Sequence, residues 1–234
     1  MKDSNQNTAV LIFSRTEQDE AIQKQFTPAN LKSKNRLIAK ALIQSTLQTV
    51  KKTNLPFYII DSENQQGNSF GEKFSNAIKT IFNKGFENVI TLGNDCPNLS
   101  VNNILTAEDN LKFNRTTLGP AKDGGIYLMA INKDSFDFDH FKNLQWQTDR
   151  LFSSITEFLS KIGKSTSILV KKADIDSYAD LINFLSLSSK NNFKEEIRRI
   201  LNDVIVEFQI NNFTSKKLSF PHQTFGLRAP PFAA

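Results

Sequence analysis

Short apolar runs alternate with helical segments over the first 92 residues of the chain. Thr8–Phe13, Pro56–Asp61 and Val89–Leu92 are rich in β-branched and other apolar residues, as is typical of buried strands. Between them, apolar residues recur at helical spacing over Leu31–Lys51 and Phe70–Phe82. A strand–helix–strand repeat predicts parallel strands joined by right-handed crossovers. We therefore expect an α/β protein, with a Rossmann-like three-layer α/β/α sandwich.

The pattern is less regular after Leu92, but it predicts further elements. We expect helices over Ile104–Leu111, Thr148–Ile162 and Phe193–Phe208 and one beginning near Ser177, strands over Thr116–Leu118, Ile126–Ile131 and Ser167–Val170, and an irregular stretch over Phe136–Trp146. One main domain is expected over residues 1–190. A C-terminal helix and an extended tail are expected over residues 191–234.

The tail has an unusual composition. From Gln209 onward, the last 26 residues contain no Asp or Glu, but they contain three prolines and four phenylalanines. Free tails seldom carry so many aromatic residues. We therefore expect Phe220, Phe225 and Phe232 to be partly buried against the body of the protein or against a second subunit, which makes a homo-oligomer possible.

Composition favours a cytoplasmic protein rather than a membrane or nucleic-acid-binding protein. No apolar stretch is long enough to span a bilayer, and the polar segment Met1–Asn7 does not resemble a signal sequence. The single cysteine, Cys96, excludes internal disulfides. Net charge is +5, but the basic residues are scattered in pairs, so we expect no membrane span and no nucleic-acid partner.

Two glycine-containing segments, Val89–Pro97 and Leu118–Leu128, each place an aspartate at a junction between strand and loop. Four of the nine glycines lie between positions 93 and 125. Asp95 directly follows a predicted strand, where open α/β sheets bind their ligands. Glycines on both sides of Asp123 allow the main chain to approach a ligand closely. A site is therefore expected around these two carboxylates.

Each of these aspartates has a functional and a structural interpretation. Asp95 could bind a divalent cation that bridges diphosphate oxygens, or it could cap the following turn. Asp123 could be a second ligand, a base for an acceptor hydroxyl, or the first residue of a tight Asp-Gly-Gly turn. Trp146 could stack on a sugar or a base, or belong to the core. We favour the functional interpretation for both aspartates and the core for Trp146.

Three segments together resemble a known family. Gly93–Leu99, Leu118–Leu128 and Trp146–Thr148 resemble, in order and spacing, a bacterial family of poorly characterised GT-A-type glycosyltransferases, related to nucleotide-diphospho-sugar transferases and small nucleotidyltransferases. The resemblance spans about residues 8–187. It implies the GT-A version of the sandwich, with a mixed, mostly parallel sheet, and a nucleotide sugar or nucleotide as ligand.

The resemblance also implies a metal site that contains a divalent cation, Mg²⁺ or Mn²⁺. Asp174-Ile175-Asp176 resembles the Asp-hydrophobic-Asp element that closes the metal site in many nucleotidyltransferases of this superfamily. Asp95 and Asp176 are the expected ligands. Because side chains alternate along an extended segment, at most one of Asp174 and Asp176 should face the site, and the other interpretation is a helix cap.

The segment after the first strand departs from the family pattern. The family carries a glycine-containing basic loop with Lys-Thr-Arg-Leu, whereas residues 14–40 here contain no glycine. Lys34-Asn35-Arg36-Leu37 is the nearest equivalent, and Arg15 directly follows the strand. Because the backbone cannot wrap phosphate without glycine, we expect Arg15, Lys34 and Arg36 to bind it through their side chains beside Asp95.

The expected function is transfer of a sugar from a nucleotide-diphospho sugar to an unknown acceptor. In this interpretation Asp123 is the catalytic residue, and the nucleotide or substrate is bound by Gly93, Asn94, Gly124, Gly125 and Trp146 together with the three basic residues. Two alternatives stay open: nucleotidyl transfer from an NTP, and a catalytically silent protein that keeps the fold for binding or scaffolding.

Overall fold

The computed structural model describes residues 7–28, 31–187 and 192–202. Its strands are β1 (Thr8–Phe13), β2 (Phe57–Ile60), β3 (Asn88–Leu92), β4 (Thr116–Pro120), β5 (Ile126–Asn132) and β6 (Thr166–Ile168). Its helices are α1 (Glu17–Gln23), α2 (Lys32–Lys51), α3 (Phe70–Asn83), α4 (Val101–Lys112), α5 (Phe138–Lys142), α6 (Leu151–Lys161) and α7 (Tyr178–Ser186). Residues 192–202 are also helical.

All six strands form one sheet in the order β2-β1-β3-β5-β4-β6. β1 is parallel to β2 and β3, and β4 is parallel to β6, whereas β5 is antiparallel to both β3 and β4. Five strands therefore point the same way and β5 alone points the opposite way. As a result, the amino end of β5 lies at the same edge as the carboxyl ends of the other five strands.

Helices cover both faces of the sheet. Alternate residues of β1 face opposite sides, with Ala9 and Leu11 in one core cluster and Val10 and Ile12 in another. The first cluster includes residues of α3, α5 and α6, and the second includes residues of α4 and the end of α2. The predicted three-layer α/β/α sandwich with a mixed, mostly parallel sheet is confirmed.

Two helices differ from the expectation. α1 was not predicted, because Glu17–Gln23 has no apolar periodicity. It is instead fixed at its start, where the Thr16 side chain accepts a hydrogen bond from the Asp19 N–H and acidic residues fill the first turn. α5 interrupts the stretch that we expected to be irregular, and Asp137 caps it through the His140 N–H.

The C-terminal part of the described chain packs against the main body. Ile197 is fully buried in a third apolar cluster with Phe26, Ile38 and Leu181, which lie on or beside α1, α2 and α7. The division into two domains stays a prediction, and the predicted contacts of Phe220, Phe225 and Phe232 lie outside the described residues. Within the described ranges, no helix has the length and apolar character required to cross a membrane.

The capping box at the start of α7 also fixes the chain next to Asp176. Ser177 Oγ accepts the Asp180 N–H, and the Asp180 carboxylate accepts the Ser177 N–H in return. We predict that Ser177→Ala lowers the free energy of unfolding by about 1 kcal/mol in urea denaturation, as loss of an N-cap does. Ser186→Ala, at the opposite end of α7, is the matched control, and an equal loss in both variants would contradict this role of the cap.

Candidate functional site

Four aspartates from three chain segments meet at the edge of the sheet where β5 begins. Asp95 follows β3, Asp123 precedes β5, and Asp174 and Asp176 follow β6. All four line one cavity of about 790 Å³. The reversed direction of β5 explains the convergence, because it brings the loop before this strand to the edge where the other strands end.

Main-chain hydrogen bonds hold these segments together. The Ile175 N–H donates to the Asp95 carbonyl oxygen at 2.9 Å. Upstream, the chain after β6 stays paired with the chain after β4, since the Lys172 N–H donates to the Pro120 carbonyl oxygen at 3.1 Å. The relative position of Asp95 and the Asp174–Asp176 segment is therefore set by backbone and does not depend on a bound ion.

The Lys24 ammonium group lies at the centre of the carboxylates. Its Nζ is 2.7 Å from Asp95 Oδ2, 2.8 Å from Asp176 Oδ1 and 2.8 Å from Glu20 Oε1. Only 13% of the Lys24 side chain is exposed. Burial by itself would lower the pKa of Lys24, but the carboxylates of Asp95, Glu20 and Asp176 outweigh burial and raise the pKa above its usual value. Lys24 is therefore a permanent positive charge in the site.

The cavity is strongly acidic although the chain as a whole is basic. Among the described residues, three cationic side chains line it, Arg15, Lys24 and Lys73, against seven carboxylates, Asp19, Glu20, Asp95, Asp123, Asp149, Asp174 and Asp176. Arg15 is paired with Glu20 at 3.1 Å. An anionic ligand would therefore meet repulsion unless further positive charge enters with it.

Asp174 is the carboxyl group that this charge imbalance affects most. Its Oδ1 is buried and has no hydrogen-bond partner among the described residues. Burial, together with the nearby charges of Asp95, Asp123 and Asp176, raises the pKa of Asp174 to about 8. Asp174 is therefore protonated at a higher pH than an ordinary aspartate.

The loop before β5 has the geometry of a tight turn. The Gly125 N–H donates to Asp123 Oδ1 at 2.9 Å, which orients this exposed carboxylate. Gly124 has φ +95°, and a Cβ there would overlap the main chain of Asp149. The main chain at Gly124 therefore makes a close approach, as expected, but the group that it approaches is the main chain of Asp149. Gly125 and Asp123 line the cavity.

Asn94 and Gly93 form the other side of the site. Asn94 is 5% exposed and lines the cavity, and its Nδ2 has no hydrogen-bond acceptor among the described residues. Gly93 also lines the cavity, and a Cβ at this position would be 3.0 Å from Asp95 Oδ1. Asn94 thus carries a buried donor group that has no protein partner among the described residues.

Aromatic side chains form one wall of the cavity. Trp146 packs against Phe74 and Phe70 with ring centroids 4.7 and 5.3 Å away, and its Nε1–H donates to the Phe141 carbonyl oxygen at 2.6 Å. Gly71 permits this packing, because a Cβ there would overlap the Lys142 carbonyl oxygen and lie 2.8 Å from the Trp146 ring. Trp146 is therefore both a partly buried core residue and part of the cavity lining.

The three predicted basic residues do not converge. Arg15 lines the cavity, whereas Lys34 and Arg36 do not. Both belong to the first turns of α2, and Arg36, 53% exposed, pairs with Glu17 on α1 at 2.6 Å. The structure therefore brings Arg15 to the cavity but pairs Arg36 with Glu17 of the unpredicted helix α1, and phosphate binding by the three residues stays a prediction.

Two central residues, Lys24 and Glu20, were not identified from the sequence. Lys24 bonds to a carboxylate 71 positions away, so no local pattern could identify this pair. A local signal for α1 does exist, since Thr16 followed by acidic residues in the first turn is typical of a helix start. Once α1 is recognised, Glu20 and Lys24 form an i,i+4 pair at its end.

The carboxylates of the site suit a divalent cation, although Asp95 and Asp176 already form ion pairs with Lys24. Carboxylate oxygens are the ligands that hard cations prefer, and Asp174 Oδ1 is an unpartnered oxygen of that kind. As the side chains stand, no group of three or more His, Cys, Asp or Glu residues in the described ranges has the arrangement of a metal site. Binding of a metal ion therefore requires some side-chain movement.

The raised pKa of Asp174 predicts a pH-dependent stability. Its pKa in the folded protein, about 8, exceeds the ordinary 3.8, so the folded state holds the extra proton between these values. With a chelator present, the free energy of unfolding should fall as the pH rises from about 4 to about 8. Asp174→Asn should reduce this slope, measured by urea denaturation at several pH values, and the exposed control Asp109→Asn should keep it. An unchanged slope in Asp174→Asn would contradict the prediction.

Comparison with known proteins gives one family match and several similar structures. The family described as "Uncharacterized protein conserved in bacteria (DUF2064)" matches residues 36–148, which include both glycine-aspartate segments. No curated protein matches the sequence. A structure described as a "putative nucleotide-diphospho-sugar transferase" from Desulfovibrio desulfuricans G20 has a TM-score of 0.69 at 20% identity, and the match covers 87% of this chain and 98% of that chain.

Two further structures are more distant. The 4-diphosphocytidyl-2C-methyl-D-erythritol synthase of Anaerococcus prevotii DSM 20548 matches with a TM-score of 0.49 at 10% identity, over 75% of this chain and 93% of that chain. Rv0371c of Mycobacterium tuberculosis H37Rv matches with a TM-score of 0.46 at 9% identity, over 77% and 97%. The resemblance predicted from the sequence is thus confirmed at the level of the fold, which this chain shares with the Desulfovibrio structure described as a putative nucleotide-diphospho-sugar transferase.

Proposed function

We propose that this protein is a GT-A-type transferase that moves a sugar from a nucleotide-diphospho sugar to an acceptor with the help of a divalent cation. The observation that carries the proposal is the convergence of Asp95, Asp123, Asp174 and Asp176 on one cavity at the carboxyl edge of the sheet. Helix caps and turn aspartates from separate segments have no structural reason to meet there. In open α/β sheets, this edge is where ligands bind.

Asp95 and Asp176 are the proposed cation ligands. Asp174 Oδ1 is a nearby buried oxygen without a hydrogen-bond partner among the described residues. Mg²⁺ or Mn²⁺ at this position would neutralise the charge that develops on the departing nucleoside diphosphate. The main-chain hydrogen bond from the Ile175 N–H to the Asp95 carbonyl oxygen holds both segments in place. Carboxylates on segments fixed in this way suit cation binding.

Asp123 is proposed as the base that accepts the proton of the acceptor hydroxyl. Its carboxylate is exposed to the cavity and oriented by the Gly125 N–H. One oxygen is used in that hydrogen bond, which leaves the other free for an acceptor. The glycine at position 125 keeps the space beside this carboxylate open, since a Cβ would be 3.2 Å from Asp123 Oδ1.

The remaining lining residues suit a sugar and a diphosphate. The face of Trp146, beside Phe70 and Phe74, offers an apolar surface for the C–H face of a sugar or for a base. Asn94 Nδ2 offers an unused donor, and Arg15 a cation. The cavity of about 790 Å³ is within the range of small-molecule sites.

The proposed cation site predicts metal-dependent nucleotide binding. Asp95→Asn removes one of the two negative charges that Asp95 and Asp176 offer to the cation. In the wild-type protein, Mn²⁺ and a nucleoside diphosphate together should raise the melting temperature. We expect Asp95→Asn to abolish this increase. Asp109→Asn, on the exposed side of α4, should keep the increase. Thermal denaturation with and without both ligands measures this.

The outcomes separate the alternatives that the sequence leaves open. If the wild-type protein gains no stability from Mn²⁺ with any nucleoside diphosphate or nucleotide sugar, the catalytically silent function is supported instead. If NTPs stabilise the protein and nucleotide sugars do not, nucleotidyl transfer is supported. If Asp95→Asn keeps the full gain, the cation lies elsewhere.

Trp146 provides a spectroscopic test of ligand position. The chain contains one tryptophan, so its fluorescence reports on the cavity wall alone. A nucleotide sugar that contacts the ring should shift or quench the emission in a saturable way. A saturable stability increase with no change in emission would contradict contact between the ligand and Trp146.

A further inference from the structure

The position of Lys24 conflicts with a cation bound between Asp95 and Asp176. The ammonium nitrogen lies 2.7 Å from Asp95 Oδ2 and 2.8 Å from Asp176 Oδ1, which are charge-assisted hydrogen-bond distances. A magnesium ion takes its oxygen ligands at about 2.0–2.1 Å. A metal ion bound by both of these oxygens would compete with the ammonium group for their lone pairs and would be repelled by its positive charge.

We propose that Lys24 is a built-in counter-ion that occupies the place of the divalent cation and must leave it before the metal can bind. This inference deepens the proposed function and rests on its cation site. Within the described ranges, Lys24 is the cationic residue that forms ion pairs with Asp95 and Asp176. Without it, the carboxylates at this edge would repel one another in a partly buried site.

The ammonium group also has a third anionic partner. Glu20 Oε1 is 2.8 Å from Lys24 Nζ and lies one helical turn before it, at the end of α1. The Glu20 side chain is only 2% exposed and is held from the other side by Arg15. Lys24 can therefore keep its pair with Glu20 while it releases the two aspartates. Its flexible four-carbon stem permits such a shift without movement of the backbone.

Competition of this kind predicts that removal of the lysine strengthens metal binding. Lys24→Met should increase the affinity for Mn²⁺ by on the order of ten-fold or more, because the metal no longer displaces charged hydrogen bonds. Isothermal titration with Mn²⁺ alone measures the affinity. Lys73→Met is the matched control: Lys73 lines the same cavity but forms no ion pair with Asp95 or Asp176, so it reports the effect of net charge alone.

A second readout uses the metal-free protein. Lys24→Met should lower the melting temperature in the presence of a chelator, and Mn²⁺ should restore it, whereas Lys73→Met should change little. Circular dichroism establishes that the variants fold. Lys24→Gln is the second variant, since its amide can still donate to either aspartate and preserve the fold; the same gain in Mn²⁺ affinity is expected.

Each remaining outcome counts against the inference in a distinct way. Equal Mn²⁺ affinity in wild-type, Lys24→Met and Lys24→Gln would overturn the competition and leave the cation site of the proposed function intact. Equal gains in Mn²⁺ affinity in Lys24→Met and Lys73→Met would mean that only the net charge of the cavity matters, and would overturn the inference. No Mn²⁺ binding by wild-type or by either Lys24 variant would overturn the cation site and the inference together.

Discussion

The reversed direction of β5 is the constraint on which the rest of the site depends. A purely parallel sheet would carry the loop before β5 to the opposite edge, far from Asp95. Because β5 pairs antiparallel to both β3 and β4, Asp123 arrives where β3 and β6 end. The main-chain hydrogen bond from the Ile175 N–H to the Asp95 carbonyl oxygen then holds the segment after β6 next to the segment after β3. The positions of the aspartates at this edge thus follow from the order and register of the strands. The apolar clusters on both faces of the sheet stabilise that order.

Electrostatics explains how a chain without a glycine-rich phosphate loop could still bind a diphosphate. In place of such a loop, residues 17–23 form a helix with an acidic first turn. Glu20 and Lys24 of this segment then join the aspartates in one network. The site is therefore short of positive charge when empty, and a phosphate group gains most when it enters together with a cation. This coupling would follow from the charge distribution for either of the two transfer reactions considered above.

The sequence predicts the sheet and the central motifs well, and it fails where partners are distant. β1, β3, α2 and α3 have strong periodic patterns, and the structure places them within a few residues of the predicted bounds. Asp95 and Asp123 could be singled out because glycines and strand ends surround them. Lys24 could not, since its partners follow from the fold. The position of Arg36 could not be predicted for the same reason. Its ion-pair partner Glu17 belongs to a helix without apolar periodicity, which the sequence pattern does not indicate.

The contact at Gly71 has a consequence for how the cavity could vary among related chains. The width of the cavity on its aromatic side is set by the distance between α3 and α5, since Gly71 lies against Lys142 and the Trp146 ring. Any larger residue at position 71 would push these helices apart and carry the indole outward. Alanine or serine there would require the main chain at Lys142 to move, as well as the indole of Trp146. Glycine at position 71 is therefore the residue that allows α3, the end of α5 and the indole to meet at this wall of the cavity.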